Sequence, residues 1–410
     1  MGDLSVFAET TITKSSIAII GNQPGGLSGS RMLPQTDRQN VFDITTVGGF
    51  QKLYFSNFEI DGFFAVNDVA FRGILANGLT FNKIHCNLIR AFDLARVDEV
   101  YIHSTVVGSD VDAFFGSTVD TAHSFDIIID DWIQQSSSLY TISGSFPHFQ
   151  RAVSAVLNDI NYRGLGNVPL AVQFSDDCQG NSITDSTIVN AATGVKFARN
   201  TVGSTTASSS WNRIDNFMFD ACDVIGIDVE NGSWFNTITQ AYCTTIASGD
   251  TGIILRVRSL ANIITGSVFQ NMLSGGTGIM VEAGVSEFAI SDSYFSGIGG
   301  SMGIDIQSGG SDAYNIIGNV FNWTGTYLSD GGTGSNKNIV GNVPGVASNL
   351  SSPLLRLEAQ TQFVDTGTKP SCGVSNRFVL WVEEGGSGIK DAVEICAKNS
   401  SHSYGWRVIY

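Results

Sequence analysis

Charge is scarce in this chain. Only 15% of its residues are Asp, Glu, Lys or Arg, against about 25% in an ordinary domain. What charge there is runs acidic, with 38 Asp and Glu against 22 Lys and Arg, a formal net of −16 over 410 residues. Runs of Lys or Arg are missing, which makes nucleic acid and anionic membrane poor partners. No apolar run approaches the length that spans a bilayer, and no leader reads as a signal peptide. Met1-Gly2 is followed by Val6 where a myristoylation signal wants Ser or Thr. Cysteine is sparse too. The six are spread out with no CxxC among them, and no cluster has metal-ligand spacing, so no metal and no cofactor are expected. Calcium-loop spacing and a Gly-rich phosphate loop are likewise missing. Cys86 and Cys243 take places that isoleucine or phenylalanine holds elsewhere, so they read as buried small hydrophobes. Whether Cys372 and Cys396 pair is open. Free thiols without an export leader point to a chain made in the cytoplasm.

A long 3.6-residue apolar stripe is also missing. What is present is a repeat. Ile238, Ile264, Ile290 and Ile316 follow one another at 26 residues. Asn236, Asn262 and Asn315 open three of the segments; Val268-Phe269, Tyr294-Phe295 and Val320-Phe321 follow. Gly252-Ile253, Gly278-Ile279 and Gly303-Ile304 then restart the chain. A fixed period between about 20 and 50 residues means one supersecondary unit stacked on copies of itself. Each copy holds two or three short alternating runs, so the unit is made of strands and the stack is a parallel β-solenoid. The phase continues backward through Ile214, Ile183 and Leu157, with Tyr162 preceding Ile188 and Leu53, Phe55 and Phe58 preceding Leu79, Phe81 and Ile84. Val100 with Ile102, then Phe125 with Ile127, fit more loosely. This gives about eleven coils and, at one strand spacing each, a stack roughly 50 Å tall.

The expected division is an N-terminal cap over 1–40, the solenoid over 41–342 and a C-terminal β module over 343–410. The cap contains strands at Thr10–Thr13 and Ser16–Ile20 and a loop from Gly21 to Asp37; it would cover an otherwise open strand edge. Trp132 to Phe149 and Thr201 to Ser210 read as insertions. Phe149, Val153, Val156, Leu157 and Ile160 fit one helix face, but the match of Leu157 and Tyr162 to the next coil favours a strand from about 155. The last segment alternates at Phe378–Val382 and Val393–Cys396 and ends in Trp406–Tyr410. It is small for an independent core and would gain by packing on copies of itself.

The run from Asn262 to Asn271, followed by Thr277 to Val281, resembles the right-handed parallel β-helix repeat of pectate lyases, polygalacturonases and bacteriophage tailspikes. The resemblance spans roughly Asn40 to Asn342. It implies an all-β, right-handed parallel β-helix, in keeping with the rule for β crossovers. Shaft plus small C-terminal β module resembles the tailspike plan more than the pectinase plan. That resemblance implies a homotrimer on a phage tail, attached to tail or baseplate proteins and acting outside the host cell on a bacterial surface polysaccharide. The pectate lyase resemblance does not extend to catalytic residues.

Candidate chemistry lies on the strands that follow each Gly. Alternation turns Ile227 and Val229 inward and Asp228 and Glu230 outward. Stacking puts Glu230, Arg256 and Glu282 in one outward column, with Lys196, Asp228, Ile254, Met280 and Asp305 in the other. Asp228 and Glu230 lie roughly 6.5–7 Å apart at Cα, and Glu230 and Glu282 roughly 9–10 Å. Glycosidases use two carboxyl groups about 5–5.5 Å apart when retaining and about 6.5–9.5 Å when inverting. Arg256 between them would hold one ionised and drive their pKa values apart. Trp211, Trp234 and Asp215 would border the same groove, the indoles packing on sugar faces. Asp228, Glu230 and Glu282 are thus the candidate catalytic set of an endo-glycosidase, with Arg256, Trp211, Trp234 and Asp215 holding substrate. The same Glu-Arg-Glu column also reads as an ordinary cross-strand charge ladder, which would leave a non-enzymatic glycan-binding fibre or adhesin.

Other sets are weaker. Asp176-Asp177 suits a turn as well as a catalytic pair. His85, Tyr101 and His103 face outward on neighbouring coils and would supply a base if the chain were a polysaccharide lyase. Gly299-Gly-Ser-Met-Gly matches a nucleophile elbow in letters only, since no helix follows it.

Overall fold

The computed structural model describes residues 52–344, apart from segments at 62–68, 88–89, 109–113, 117–122, 136–146, 169, 199–208, 222–223 and 324. Outside that span it describes 4–6, 10–11, 17–20, 31–34, 40–45, 356–357, 361–364, 371–372, 380–383, 392–398 and 403–408. Cys222, both proposed insertions over most of their length and most of 345–379 lie outside the described residues. Strands follow one another with no helix among the described residues. They form a right-handed parallel β-solenoid of two long sheets. The second sheet stacks thirteen strands among the described residues, from Thr10–Thr11 to Thr326–Gly332.

The register follows the isoleucines. Ile238 pairs with Ile214 and Ile264, Ile264 with Ile290, and Ile290 with Ile316. Leu157 pairs with Ile183, Tyr162 with Ile188, and Phe55 with Phe81. Cys86 sits under Ile60 and Cys243 under Phe269, each fully buried. The core is a column of apolar side chains wound along the axis. Phe42, Phe71, Phe92, Phe115, Phe149, Phe174 and Phe197 stack with ring centroids 5.1 to 5.9 Å apart. Phe269, Phe295 and Phe321 form a second stack at 4.7 and 4.9 Å.

Those rings account for the repeating Gly. A Cβ on Gly278 would lie 2.7 Å from the Gly303 carbonyl oxygen and 2.8 Å from the Phe295 ring; Gly252 stands in the same relation to Gly278 and Phe269. Each Gly lets one strand of the coil approach a phenylalanine of the other sheet.

Side-chain amides fill the corner that precedes each strand of the first sheet. Asn181, Asn212, Asn236 and Asn262 are buried one above another. The Asn212 backbone N–H and side-chain Nδ2 both donate to Asn236 Oδ1, at 3.1 and 3.0 Å. Asn236 repeats this with Asn262 at 3.0 and 3.1 Å, and also donates to the Ser209 carbonyl at 3.3 Å. The ladder gives the bending backbone, which leaves the sheet here, its hydrogen-bond partners.

Several sequence expectations are corrected. Asn315 does not continue the Asn column. Tyr314 holds the inward place, stacked on Phe288 at 4.8 Å, while Asn315 is exposed and pairs with Ala289. Val100 and Ile102 pair with Ile127 and Ile129, two places beyond the looser match, and Phe125 is 44% exposed opposite Asp98. Trp132 belongs to the core rather than to an insertion: its strand runs to Gln135, and Trp132 pairs with Ile160. From Phe149 to Ile160 the favoured strand is found, at Val156–Val168, preceded by the short strands His148–Gln150 and Ala152–Val153 and not by the alternative helix face. The Gly21–Asp37 loop contains the strand Arg31–Pro34, which pairs with Leu4–Val6 and with the strand Leu53–Asp61.

The C-terminal residues form a separate five-stranded sheet in which three of four pairings are antiparallel. Cys372 and Cys396 are joined in a disulfide, with Cα atoms 5.4 Å apart. Cys86, Cys178 and Cys243 are buried and take part in no disulfide.

Candidate functional site

The strands Ile225–Val229, Thr251–Leu255, Thr277–Val281 and Met302–Gly309 lie side by side in the second sheet. Their registers reproduce the expected column of Lys196, Asp228, Ile254, Met280 and Asp305. Glu230, Arg256 and Glu282 stand one residue beyond the paired ends, each backbone N–H donating to the preceding coil.

Ion pairs knit the two columns together. Arg256 reaches diagonally to Asp228, with Nε to Oδ1 at 2.7 Å and Nη2 to Oδ2 at 3.1 Å. Its Nη1 donates to Glu282 Oε1 at 3.1 Å, and Glu282 Oε2 accepts the Val257 N–H at 2.9 Å. Glu230 pairs with Lys196. Asp228 is almost fully buried, whereas the Glu230 and Glu282 side chains are 24% and 26% exposed. The site is thus two ion-paired clusters, a one-to-one pair of Lys196 with Glu230 and a triad in which Arg256 is shared by Asp228 and Glu282, and all three candidate carboxylates sit in them.

Burial pushes the Asp228 carboxyl above the usual carboxylate range, with the Arg256 hydrogen bonds and charge pulling it back. The carboxylates beside Arg256 raise its guanidinium further. A carboxyl raised in the folded state favours the fold most when protonated. Its contribution is complete below the unfolded carboxylate pKa and is lost as pH climbs through the raised value. The melting temperature of the wild type minus that of Asp228→Asn should therefore increase as pH falls from neutral into the acid range. A gap that stays flat would show that Asp228 is not held above its ordinary value.

From Glu230 the chain turns the corner through Asn231, Gly232 and Ser233 to Trp234, the Ser233 N–H donating to the Glu230 carbonyl at 3.1 Å. Trp234 bridges to Leu260 of the next coil. Trp211, in the same corner one coil earlier, donates its backbone N–H to the Trp234 carbonyl at 3.1 Å. Its ring stacks on Phe235 with centroids 5.6 Å apart and planes 7° from parallel. Trp211, Trp234 and Phe235 are 58%, 43% and 42% exposed, and Val257 and Ile263 are 38% and 43% exposed. Trp234 thus stands in the corner that follows Glu230, with Trp211 in the same corner of the preceding coil. Phe235 escaped the sequence reading because only the bend lays it against Trp211.

Asp215 is placed elsewhere. It lies on the first sheet, bound to Arg213 Nη2 at 2.6 Å and to Thr239 Oγ1 at 2.5 Å. The Thr239 hydroxyl is the main reason its pKa lies below the ordinary value. His103 is bound to Asp130 at 3.0 Å and pairs in register with Asn82, whereas His85 pairs with Val106. The proposed lyase trio is therefore spread over separate columns. Asp176 and Asp177 occupy a turn with φ of 48° and 56°; Asp176 is buried and accepts from Gln150, and Asp177 faces His123. Ser301 is buried, with its hydroxyl on the Ile298 carbonyl at 2.6 Å, and a strand follows it rather than a helix. No group of three or more His, Cys, Asp or Glu among the described residues could hold a metal ion.

No protein-family model matches the chain, and no curated protein sequence does. Among solved structures, a double mutant of the periplasmic alginate epimerase AlgG is similar at 11% identity over 77% of each chain, with a TM-score of 0.52. A single mutant of the same epimerase is similar at 10% identity over 82% of this chain and 85% of its own, with a TM-score of 0.50. At such identities the likeness is one of fold.

Proposed function

We propose that the chain binds a bacterial surface polysaccharide along the corner formed by Trp211, Trp234 and Phe235. The observation that carries this reading is three aromatic rings, two of them stacked on each other, held in solvent on a rigid β-solenoid. Open aromatic faces suit the C–H-rich faces of sugars, and a contiguous exposed apolar strip on an otherwise polar surface marks a binding site. The periplasmic alginate epimerase that shares the fold acts, by its name, on a polysaccharide. Replacing Trp211 and Trp234 together with Ala should weaken retention of capsule, O-antigen or exopolysaccharide extracts of candidate hosts at least about tenfold in affinity electrophoresis. Unchanged retention by a folded double variant overturns the reading.

Hydrolysis is the second reading, favoured by two part-exposed carboxylates, Glu230 and Glu282, flanking Arg256 two coils apart, roughly 9–10 Å at Cα. One would protonate the leaving oxygen while the other activates water. Asp228 is too deeply buried to touch substrate and would act through Arg256. Reducing ends released by the wild type, and lost in Glu230→Gln and Glu282→Gln, would establish an endo-glycosidase. Binding without release leaves an adhesin. On either reading the chain is a phage tailspike or tail-fibre protein: the solenoid is its shaft, the C-terminal sheet joins three copies, and tail proteins hold it on the virion. A monomeric mass in sedimentation equilibrium would rule out that assembly.

A further inference from the structure

The same corner carries a residue that the repeat itself argues against. Each coil here leaves the second sheet by a four-residue turn closed by an N–H to carbonyl bond: Ser233 to Glu230 at 3.1 Å, Ser259 to Arg256 at 3.0 Å, Val285 to Glu282 at 3.4 Å. The third residue of each turn is left-handed, with φ of 78° at Gly232, 61° at Arg258 and 82° at Gly284. The second residues, Asn231, Val257 and Ala283, are absent from the left-handed set. These are type II turns, whose third position calls for Gly. The coils before and after obey. Arg258 does not, so here the turn carries a long side chain where the flanking coils carry none.

That side chain is exposed. Lys196, Arg213 and Arg256, the other cations around this corner, are each held by a carboxylate. Among the described residues no ion pair involves Arg258. It stands two residues before Leu260, the bridge partner of Trp234, so it lies one coil beyond the indole. An unpaired guanidinium next to open aromatic rings, on a chain of net charge −16, offers a planar fork to an anion. Glu287, exposed one coil further along, would oppose an anion in that direction and so confine it to the Trp234 side.

We propose that Arg258 makes this corner selective for an acidic polysaccharide, pairing with a sugar carboxylate while the aromatic rings carry the adjacent residues. The inference rests on the glycan-binding reading and adds the substrate class to it. The probe is the host extract retained by the wild type, used intact and after its carboxyl groups have been reduced to hydroxymethyl groups. Carboxyl reduction should weaken retention by the wild type about tenfold. Arg258→Gly should lose about as much on the intact glycan and show no further loss on the reduced one. Since Gly suits the turn, the variant should melt at or above the wild-type temperature, so the loss would not reflect misfolding. Arg258→Lys, which keeps charge but not the fork, should fall between. Equal retention of intact and reduced glycan by the wild type, or full retention of intact glycan by Arg258→Gly, overturns the proposal. If Trp211→Ala still weakens binding in that case, the aromatic reading stands alone. An altered mass of Arg258→Gly in sedimentation equilibrium would assign the guanidinium to a contact between copies and equally overturn it. Retention of no extract by the wild type would reject the glycan-binding reading, and this inference with it.

Discussion

Gly278→Ala is expected to cost about 3 kcal/mol, the upper end for overpacking a well-filled core. The added methyl would meet two groups that cannot step aside. One is the Gly303 carbonyl oxygen at 2.7 Å, backbone of the next coil. The other is the Phe295 ring at 2.8 Å, which is clamped between Phe269 and Phe321. Moving either shifts a column shared with neighbouring coils. Gly180→Ala separates this steric cost from the loss of glycine's conformational freedom. Gly180 has φ of 65° but nothing within 4 Å of an added Cβ, so its loss should be limited to the backbone, about 1 kcal/mol. Chemical denaturation of both variants decides the matter. Equal losses would mean that the ring and carbonyl yield to the added methyl and that close approach is not what keeps the Gly column.

Asn236→Leu should cost more, roughly 3–5 kcal/mol, at about 1–3 kcal/mol for each buried group left without a partner. The Asn212 N–H and one Nδ2 hydrogen lose their acceptor, the other Nδ2 hydrogen keeping the Cys178 carbonyl at 3.4 Å, and the Ser209 carbonyl loses a donor. None of these has water to turn to, because Ser209, Asn212 and Asn236 are all buried. Asn315→Leu is the matched control. Asn315 is exposed and makes one side-chain bond, accepting from Asn338 at 3.2 Å, so its loss should stay within about 0.5 kcal/mol. Comparable losses for the two would mean that the corner amides do not bear on stability.

That pair of asparagines also marks how far the repeat could be read from sequence. The inward isoleucines are legible because burial on both sides of a coil tolerates little else, and every pairing among Ile214, Ile238, Ile264, Ile290 and Ile316 is as the spacing predicts. Polar letters carry no such constraint. Asn236 and Asn315 look alike, yet a one-residue offset puts the second on the solvent face. The amide column instead runs backward through Asn212 and Asn181, at spacings of 24 and 31 residues that hide it. Around Val100 the apolar residues are dense enough to permit two alignments, and only the pairing with Ile127 separates them.

For the candidate site, alternation and stacking correctly bring Asp228, Glu230, Arg256 and Glu282 together, because those follow from backbone geometry alone. Which carboxylate each cation chooses does not follow. Arg256 is long enough to cross from its own column to Asp228, and Lys196 from its column to Glu230. Arg258 is invisible to a search for paired carboxylates. Aligning the turns, with Gly232 and Gly284 on either side, was the available signal.

The pairing of each coil with its neighbours has an evolutionary corollary. Most strands of the stack see only the coil before and the coil after, so one coil can be duplicated or deleted without posing a new folding problem to the remainder. Lineages descended from such a gene can lengthen or shorten the shaft in steps of about 4.8 Å. Each step carries a ready-made corner with it, on which a new residue can be placed.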